Sequence, residues 1–463
     1  VSGSNPDGTA PRLGPSVSID PRLFSLVSAA CLLEHRSRFE SSRIQVYLVH
    51  EKRENVLEAK LVSIEGVAQL AGEGRSDREF AIPTGWSEGS LDHSSEASSD
   101  DAFYTRWNAL MEMPLSERVR ELGKGREAFE KKLHETTDPK EQGKLVGEVT
   151  QLAYLVNRAS LSVNPGTLTP EDRVLAQETL AIVQSVIDLI AGSKESTLLF
   201  QTLENASNGQ VLQHTVRVFS TMVAFLVYFN DQHTRGLSRR VRSVFHTRYR
   251  RHYEAWLPEL KASLVTSDNL VRFSPISAPK LRSFALGTLM HDIGKILDLD
   301  YFENGAAYDQ TRIRQHSIIG SGLFQRVYGL QFEDARYIVG DHHNYLFHKD
   351  GYGLTRWDRA RRGGPSVAVG CAVTDTLESF HSGEALGFFP VEACAIIDVY
   401  DALTDSSRLY KRAMTPGQAV AFMDDHFCAS HKLDPIVFGL FIEFLRARGT
   451  QLPPEFGLFA PGP

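Results

Sequence analysis

What most constrains this chain is the helical texture of its C-terminal part, in which imidazoles and carboxylates lie inside apolar stretches and not between them. From about Ser193 onward, apolar residues recur at three- and four-residue steps, the spacing of amphipathic or buried helices. The stretch "LLFQTLENASNGQVLQHTVRVFSTMVAFLVYF" carries His214, and "LRSFALGTLMHDIGKIL" carries His291 and Asp292, with Lys295 three residues past the aspartate. "RIRQHSIIGSGLFQRV" carries His316, "GDHHNYLFHKDGYGLTR" carries His342 and His343, and "VEACAIIDVYDALTDSSRLYKRAMTP" carries Asp398 and Asp401. Each polar residue sits on or at the end of a stretch that would carry it to the interior.

Taken singly, a helical histidine or a His-Asp pair is an ordinary packed or surface feature. The ordered series is different, because burying several carboxylates and imidazoles without a cation costs several kcal/mol per charge, on the order of the penalty for any unpaired buried ion. Imidazole and carboxylate are ligands for borderline and hard divalent ions. Five histidines with Asp292 and Asp398 are too many for one ion that keeps open positions, so the count predicts two. Asp292 would bridge them at the ~3.5–4 Å typical of two-metal hydrolases, and a water shared between them would be deprotonated near neutral pH. No Gly-x-Ser-x-Gly elbow offers another nucleophile, and Cys394 reads as buried.

The remainder of the chain sets the context. With 463 residues and 42% hydrophobic residues it has room for two or three globular domains. Between Pro21 and Trp86 a short helical pattern, "PRLFSLVSAACLLEHRSRF", precedes strand-like "IQVYLVHE" and "EAKLVSIEG", which predicts a small α+β or β-rich module. The Ser- and acid-rich Ser87–Asp101 reads as a linker. Residues 101–192 read as a helical connector, although a plain bundle or a dimerising coiled coil gives the same pattern. Thr169-Pro170-Glu171-Asp172 is a helix start. The expected division is therefore 1–100, 101–192 and 193–463, in a mainly α chain.

The four cysteines are widely spaced and read as reduced thiols. A formal charge of −7 speaks against coating a DNA or RNA polymer. The run "MVAFLVYF" is too short to span a membrane, and the N-terminal residues show neither a basic start nor an apolar leader core, so a cytoplasmic location is expected. The segment "HTRGLSRRVRSVFHTRYRRH" holds seven arginines and no acid. Such a run is either a solvated helix face or an anion-binding insertion, and "RWDRARR" at Arg356–Arg362 poses the same choice. His246 and His348 are read as surface or supporting residues.

The order His, His-Asp-Ile-Gly-Lys, His, His-His with a following Asp-Gly-x-Gly, then "DVYDALTDSSRLYKRA", resembles the HD-GYP branch of the HD phosphohydrolases over residues 193–463. The resemblance implies an all-helical domain that hydrolyses cyclic di-GMP or a related cyclic dinucleotide to the linear dinucleotide in signal transduction. It implies two divalent transition-metal ions, iron or manganese before zinc. His214, His291, Asp292 and Asp398 match the ligands of one ion; Asp292, His316, His342 and His343 match those of the other. Lys295 matches a phosphate-contacting lysine, Asp401 a supporting aspartate, and Arg408 falls near an Arg-Pro-Tyr element with Leu409 in place of proline. Arg356 joins Lys295 and Arg408 as a candidate substrate contact.

The chain departs from that pattern at Asn344, where the family has glutamate, and at Gly353-Leu354-Thr355, where it has Gly-Tyr-Pro; the intervening segment is two residues longer. Gln210 stands where some members carry a glutamate for a third ion. Two other readings stay open: a receptor that binds cyclic dinucleotide without turnover, and a hydrolase of another phosphate ester. A homodimer through the helical connector is also compatible with the sequence.

Overall fold

A computed structural model describes residues 16–19, 24–28, 46–53, 56–62, 64–72, 79–83, 109–163, 168–193, 210–258, 260–298, 310–362, 370–405 and 413–459. The chain divides into two compact units, the larger comprising Arg106–Leu297, Asp309–Asp405 and Ala413–Pro463. Near the N-terminus, β1 (Ser16–Ile19), β2 (Phe24–Ser28), β3 (Val46–Arg53), β4 (Val56–Val62) and β5 (Glu79–Pro83) form one antiparallel sheet in the order β1-β4-β3-β5-β2. Helix α1 (Ile64–Gly72) accompanies it, and Val46, Val67, Leu70 and Phe80 are buried. The helical pattern expected around Pro21 is corrected here. Phe24–Ser28 is a strand whose Leu26 and Val27 pair with Ala81 and Phe80, so cross-strand partners far along the chain outweigh local periodicity. The linker at Ser87–Asp101 lies outside the described residues.

The larger unit is helical, as its spacing predicts. Helices α2 (Leu115–Glu135), α3 (Pro139–Val163) and α4 (Pro170–Gly192) pack on one another and belong to the same compact unit as the histidine-bearing helices. Tyr328 donates to Asn157 Oδ1 at 2.7 Å across that contact. The start of α4 is a capping box: Thr169 accepts from the Asp172 amide and Asp172 accepts from the Thr169 amide. By length and composition α4 is apolar enough to cross a membrane, and 44% of its most apolar window is buried within the unit.

Helix α5 (Gln210–Thr234) runs through the core with Phe219, Met222, Val223, Phe225 and Phe229 fully buried. Its aromatic face meets α12 (Phe389–Thr404) and α14 (Pro435–Ala447), with Phe229–Phe389 and Phe225–Phe444 ring centroids at 4.7 and 5.6 Å. Such pairs contribute about 0.5–1.5 kcal/mol each beyond the area they bury. Between α5 and α14 in sequence come α6 (Leu237–Val244), α7 (Arg250–Trp256), α8 (Ala278–Leu289), α9 (Gln310–Tyr328), α10 (Glu333–Asp341), α11 (Leu354–Arg362), α12, and α13 (Pro416–Met423).

Sequence spacing did not disclose a small parallel sheet of β6 (Val271–Arg272), β7 (Cys371–Thr374) and β8 (Ala385–Phe388), in that order. β6 has only two residues, and the four residues each of β7 and β8 are buried throughout, so none carries an alternation to detect. The sheet matters to the site because β8 leads directly into α12 and fixes where that helix starts. Cys371, Cys394 and Cys428 are free and buried, while Cys31 lies outside the described residues.

Candidate metal centre

Five elements deliver the polar residues to one place. Near the beginning of α5 comes His214; α8 ends at Leu289, and the next turn presents His291 and Asp292 before a 3-10 segment. α9 supplies His316, the end of α10 supplies His342 and His343, and α12 supplies Asp398 and Asp401 on one face, three residues apart. The close approach of the His291-Asp292 turn to α9 needs Gly294. A Cβ there would run into the His316 carbonyl oxygen and the Gly320 amide.

Two trios of donors result: His214, His291 and Asp398, and His316, His342 and His343, each with ligand atoms within 4.8 Å of one another. Asp292 lies between them. Its Oδ2 is 3.7 Å from His214 Nε2 and 3.5 Å from His291 Nε2, whereas its Oδ1 is 3.4 Å from His316 Nε2 and 3.8 Å from His342 Nε2. All of these residues are buried except His343, whose side chain is 14% exposed.

The hydrogen bonds fix how the rings face. His214 Nδ1 meets Asp401 Oδ2 at 2.7 Å, His291 Nδ1 meets the Thr288 carbonyl at 2.8 Å, and His342 Nδ1 meets the Val339 carbonyl at 3.1 Å. A carbonyl can only accept, so the neutral rings of His291 and His342 carry their proton on Nδ1 and aim the Nε2 lone pair inward, toward the Nε2 atoms of His214 and His316. Those Nε2 atoms crowd together, His214 to His291 at 3.4 Å and His316 to His342 at 3.2 Å. Asp292 Oδ1 is buried and accepts no hydrogen bond among the described residues. Converging lone pairs around an unsatisfied carboxylate oxygen form a donor set suited to divalent ions.

The electrostatics agree. Burial opposes charge on His214, but hydrogen bonds to Asp398 and Asp401 prevail and raise its pKa to about 9, a pull on any positive charge at Nε2. Burial also opposes ionisation of Asp292 and Asp398, yet nearby cationic and imidazole groups hold both well below the usual carboxylate range. Burial holds His342 well below the imidazole range and lowers His343 to about 3. The carboxylates are therefore anionic and the rings of His342 and His343 neutral at ordinary pH.

Arg217 and Arg314, not named from the sequence, join Lys295 around the centre. Arg217 grips Asp401 with two donors, at 2.6 and 2.9 Å, and reaches Asp405 Oδ2 at 2.8 Å. It lies one helical turn after His214, a position whose spacing alone could have suggested it. Lys295 Nζ is 2.5 Å from Asp292 Oδ2, with 24% of its side chain exposed. Arg314, on the exposed side, lies 5.9 Å from the ring centre of Tyr352, which in turn lies 4.8 Å from that of His343.

Arg356 donates to Asn344 Oδ1 at 2.8 Å and to the carbonyls of Asn344 and His348, with its guanidinium over Phe347, so its observed partners all lie within the loop after His343. Asn344 uses both ends of its amide there, since its Nδ2 reaches Asp341 Oδ1 at 3.5 Å. Arg408 and the side chain of Gln210 lie outside the described residues. In the arginine run, Arg235, Arg242 and Arg250 pair with Asp231, Asp268 and Glu254, Arg240 donates to Gln232, and Arg248 donates to the Gly457 carbonyl. Five of the seven arginines thus serve local structure, which favours the solvated-face reading. His246 lies by Arg250 and His348 by Asp350.

The loop after His343 is bent unusually. Tyr345, Leu346 and Phe347 take φ values of 48°, 50° and 60° in succession. Each non-glycine residue held in that region costs about 1–2 kcal/mol, and strain of this kind persists where surrounding contacts impose it.

Residues 270–377 match the family model described as HD domain. No curated protein and no solved structure matches the chain. The match spans His291, Asp292, Lys295, His316, His342 and His343; His214 and Asp398 join them from outside it.

Proposed function

We propose that the protein is a dimetal phosphodiesterase that opens cyclic di-GMP, or a related cyclic dinucleotide, to the linear form, a reading supported by the match of residues 270–377 to the HD domain family model. The observation that carries this reading is Asp292, with one oxygen facing each trio of donors. His214, His291, Asp292 and Asp398 would hold one ion, and Asp292, His316, His342 and His343 the other. Divalent ions held there would supply Lewis acidity toward phosphoryl oxygens and lower the pKa of water toward neutrality, with iron or manganese favoured over zinc by the ligand set.

The chain's own residues do the rest. Lys295, close to Asp292 and partly exposed, presents its ammonium group to the phosphate as the substrate enters, and Arg314 adds a second cation at the rim. Asp401, fixed by Arg217, keeps the His214 proton on Nδ1. The buried walls exclude bulk water, which strengthens each of these interactions.

Incubating metal-loaded protein with cyclic di-GMP tests the proposal. Linear dinucleotide that disappears in His291→Ala and Asp292→Ala supports it. Tight binding with no product from the wild type points instead to a receptor, and faster turnover of mononucleotides to another phosphate ester.

A further inference from the structure

Four of the imidazoles at the centre have an oxygen beside Nδ1. For His214, His291 and His342 it belongs to Asp401, the Thr288 carbonyl and the Val339 carbonyl. For His343 it is the hydroxyl of Tyr345, at 3.3 Å; the Asp398 carboxylate, 3.8 Å from the same nitrogen, is beyond hydrogen-bond reach. Tyr345 comes only two residues after His343, and an ordinary extended or helical continuation would not fold its hydroxyl back onto that ring. The run of three positive φ values beginning at Tyr345 does so.

That bend is held from both sides. Leu346 is buried against Gly387 of β8, where even a Cβ would collide with its Cδ2. Phe347 lies beneath two guanidinium groups, Arg356 and Arg359, at 5.2 and 4.4 Å from its ring centre. The Tyr345 ring then rests edge-on to Phe427 and to His343, with centroids 5.8 and 5.9 Å away. Every anchor of the turn leaves the tyrosine facing the metal centre.

We propose that Tyr345 is a positioning residue: the left-handed turn presents its oxygen as the acceptor for His343 Nδ1–H, leaving Nε2 as the bare nitrogen able to take a cation. The need for a bare nitrogen rests on the dimetal reading; the tautomer itself does not. Tyrosine here does for His343 what Asp401 does for His214.

Nitrogen-15 spectra of histidine-labelled, metal-free protein at pH 7.5 test this, with the His343 signal assigned by its loss in His343→Gln. The wild type should show protonated Nδ1 and bare Nε2. Tyr345→Phe, which removes a single oxygen, should shift His343 toward a mixture of tautomers and lower Zn²⁺ affinity, measured by chelator competition, roughly 10- to 100-fold with an unchanged melting temperature. Leu346→Ala, which keeps the hydroxyl but empties the seat at Gly387, should shift the tautomer in the same direction. An unchanged His343 signal in Tyr345→Phe overturns the proposal, and an unchanged signal in Leu346→Ala overturns the role of the turn. Should the tautomer move in a protein that binds no metal, the positioning role stands and the dimetal reading falls.

Discussion

Asp292 presents one carboxylate oxygen to each trio of donors, so a change at this residue acts on both. Asp292→Asn keeps the shape and removes the charge; it is expected to release bound metal and to abolish phosphodiesterase turnover, read by elemental analysis and product formation. Lys295 acts differently. Lys295→Met is expected to retain metal while kcat/KM falls about 10- to 100-fold, the scale of one lost hydrogen bond to a charged group. If Lys295→Met lost metal as well, its role would be to hold Asp292 and not to meet substrate.

At the scale of elements, the turn after α8 depends on backbone approaching backbone. Gly294→Ala places a methyl group against the His316 carbonyl, which should cost about 1–3 kcal/mol of stability and, by moving Asp292 Oδ1 away from His316, reduce metal content further than the melting temperature alone would suggest. The helices were legible because their apolar faces repeat along the chain, as with Phe219, Met222 and Phe229 of α5. The same repetition made the polar residues of the centre stand out as misfits. Other features were not legible because their causes are distant in sequence. Strand β2 is set by β5, more than fifty residues later, and Arg242 of α6 and Arg248, between α6 and α7, find Asp268 and Gly457 only in the folded chain. The bend at Tyr345 comes from β8 and two arginines, and nothing in "HHNYLFH" itself requires it.

Across the whole molecule, buried acids outside the centre set how stability responds to pH. Glu392, at 2% exposure, accepts from the Asp434 amide at 2.6 Å, and Asp434, fully buried, accepts from Tyr253 at 2.6 Å. Burial pushes Glu392 well above its ordinary range and Asp434 up to about 6. Both folded-state values exceed the unfolded ones, so the folded chain binds more protons. Their contribution is complete below the ordinary carboxylate range and is lost as pH rises toward the folded-state values, which for Asp434 is about 6. Glu392→Gln cannot ionise and should gain on wild type as pH rises from 5 toward 8, by about 1.4 kcal/mol for each pH unit over which the folded carboxyl stays protonated while the unfolded one is ionised, measured by thermal melts at each pH; a gain confined to pH 5 would mean that the linkage runs with the opposite sign.

The most direct test of the dimetal centre is the metal content of the purified protein after equilibration with excess Mn²⁺ and removal of free ion. About two ions per chain are expected, the number two-metal hydrolases hold, falling to background in Asp292→Ala. A wild type that retains none, or an Asp292→Ala variant that retains as much as the wild type, would contradict a centre bridged by that carboxylate.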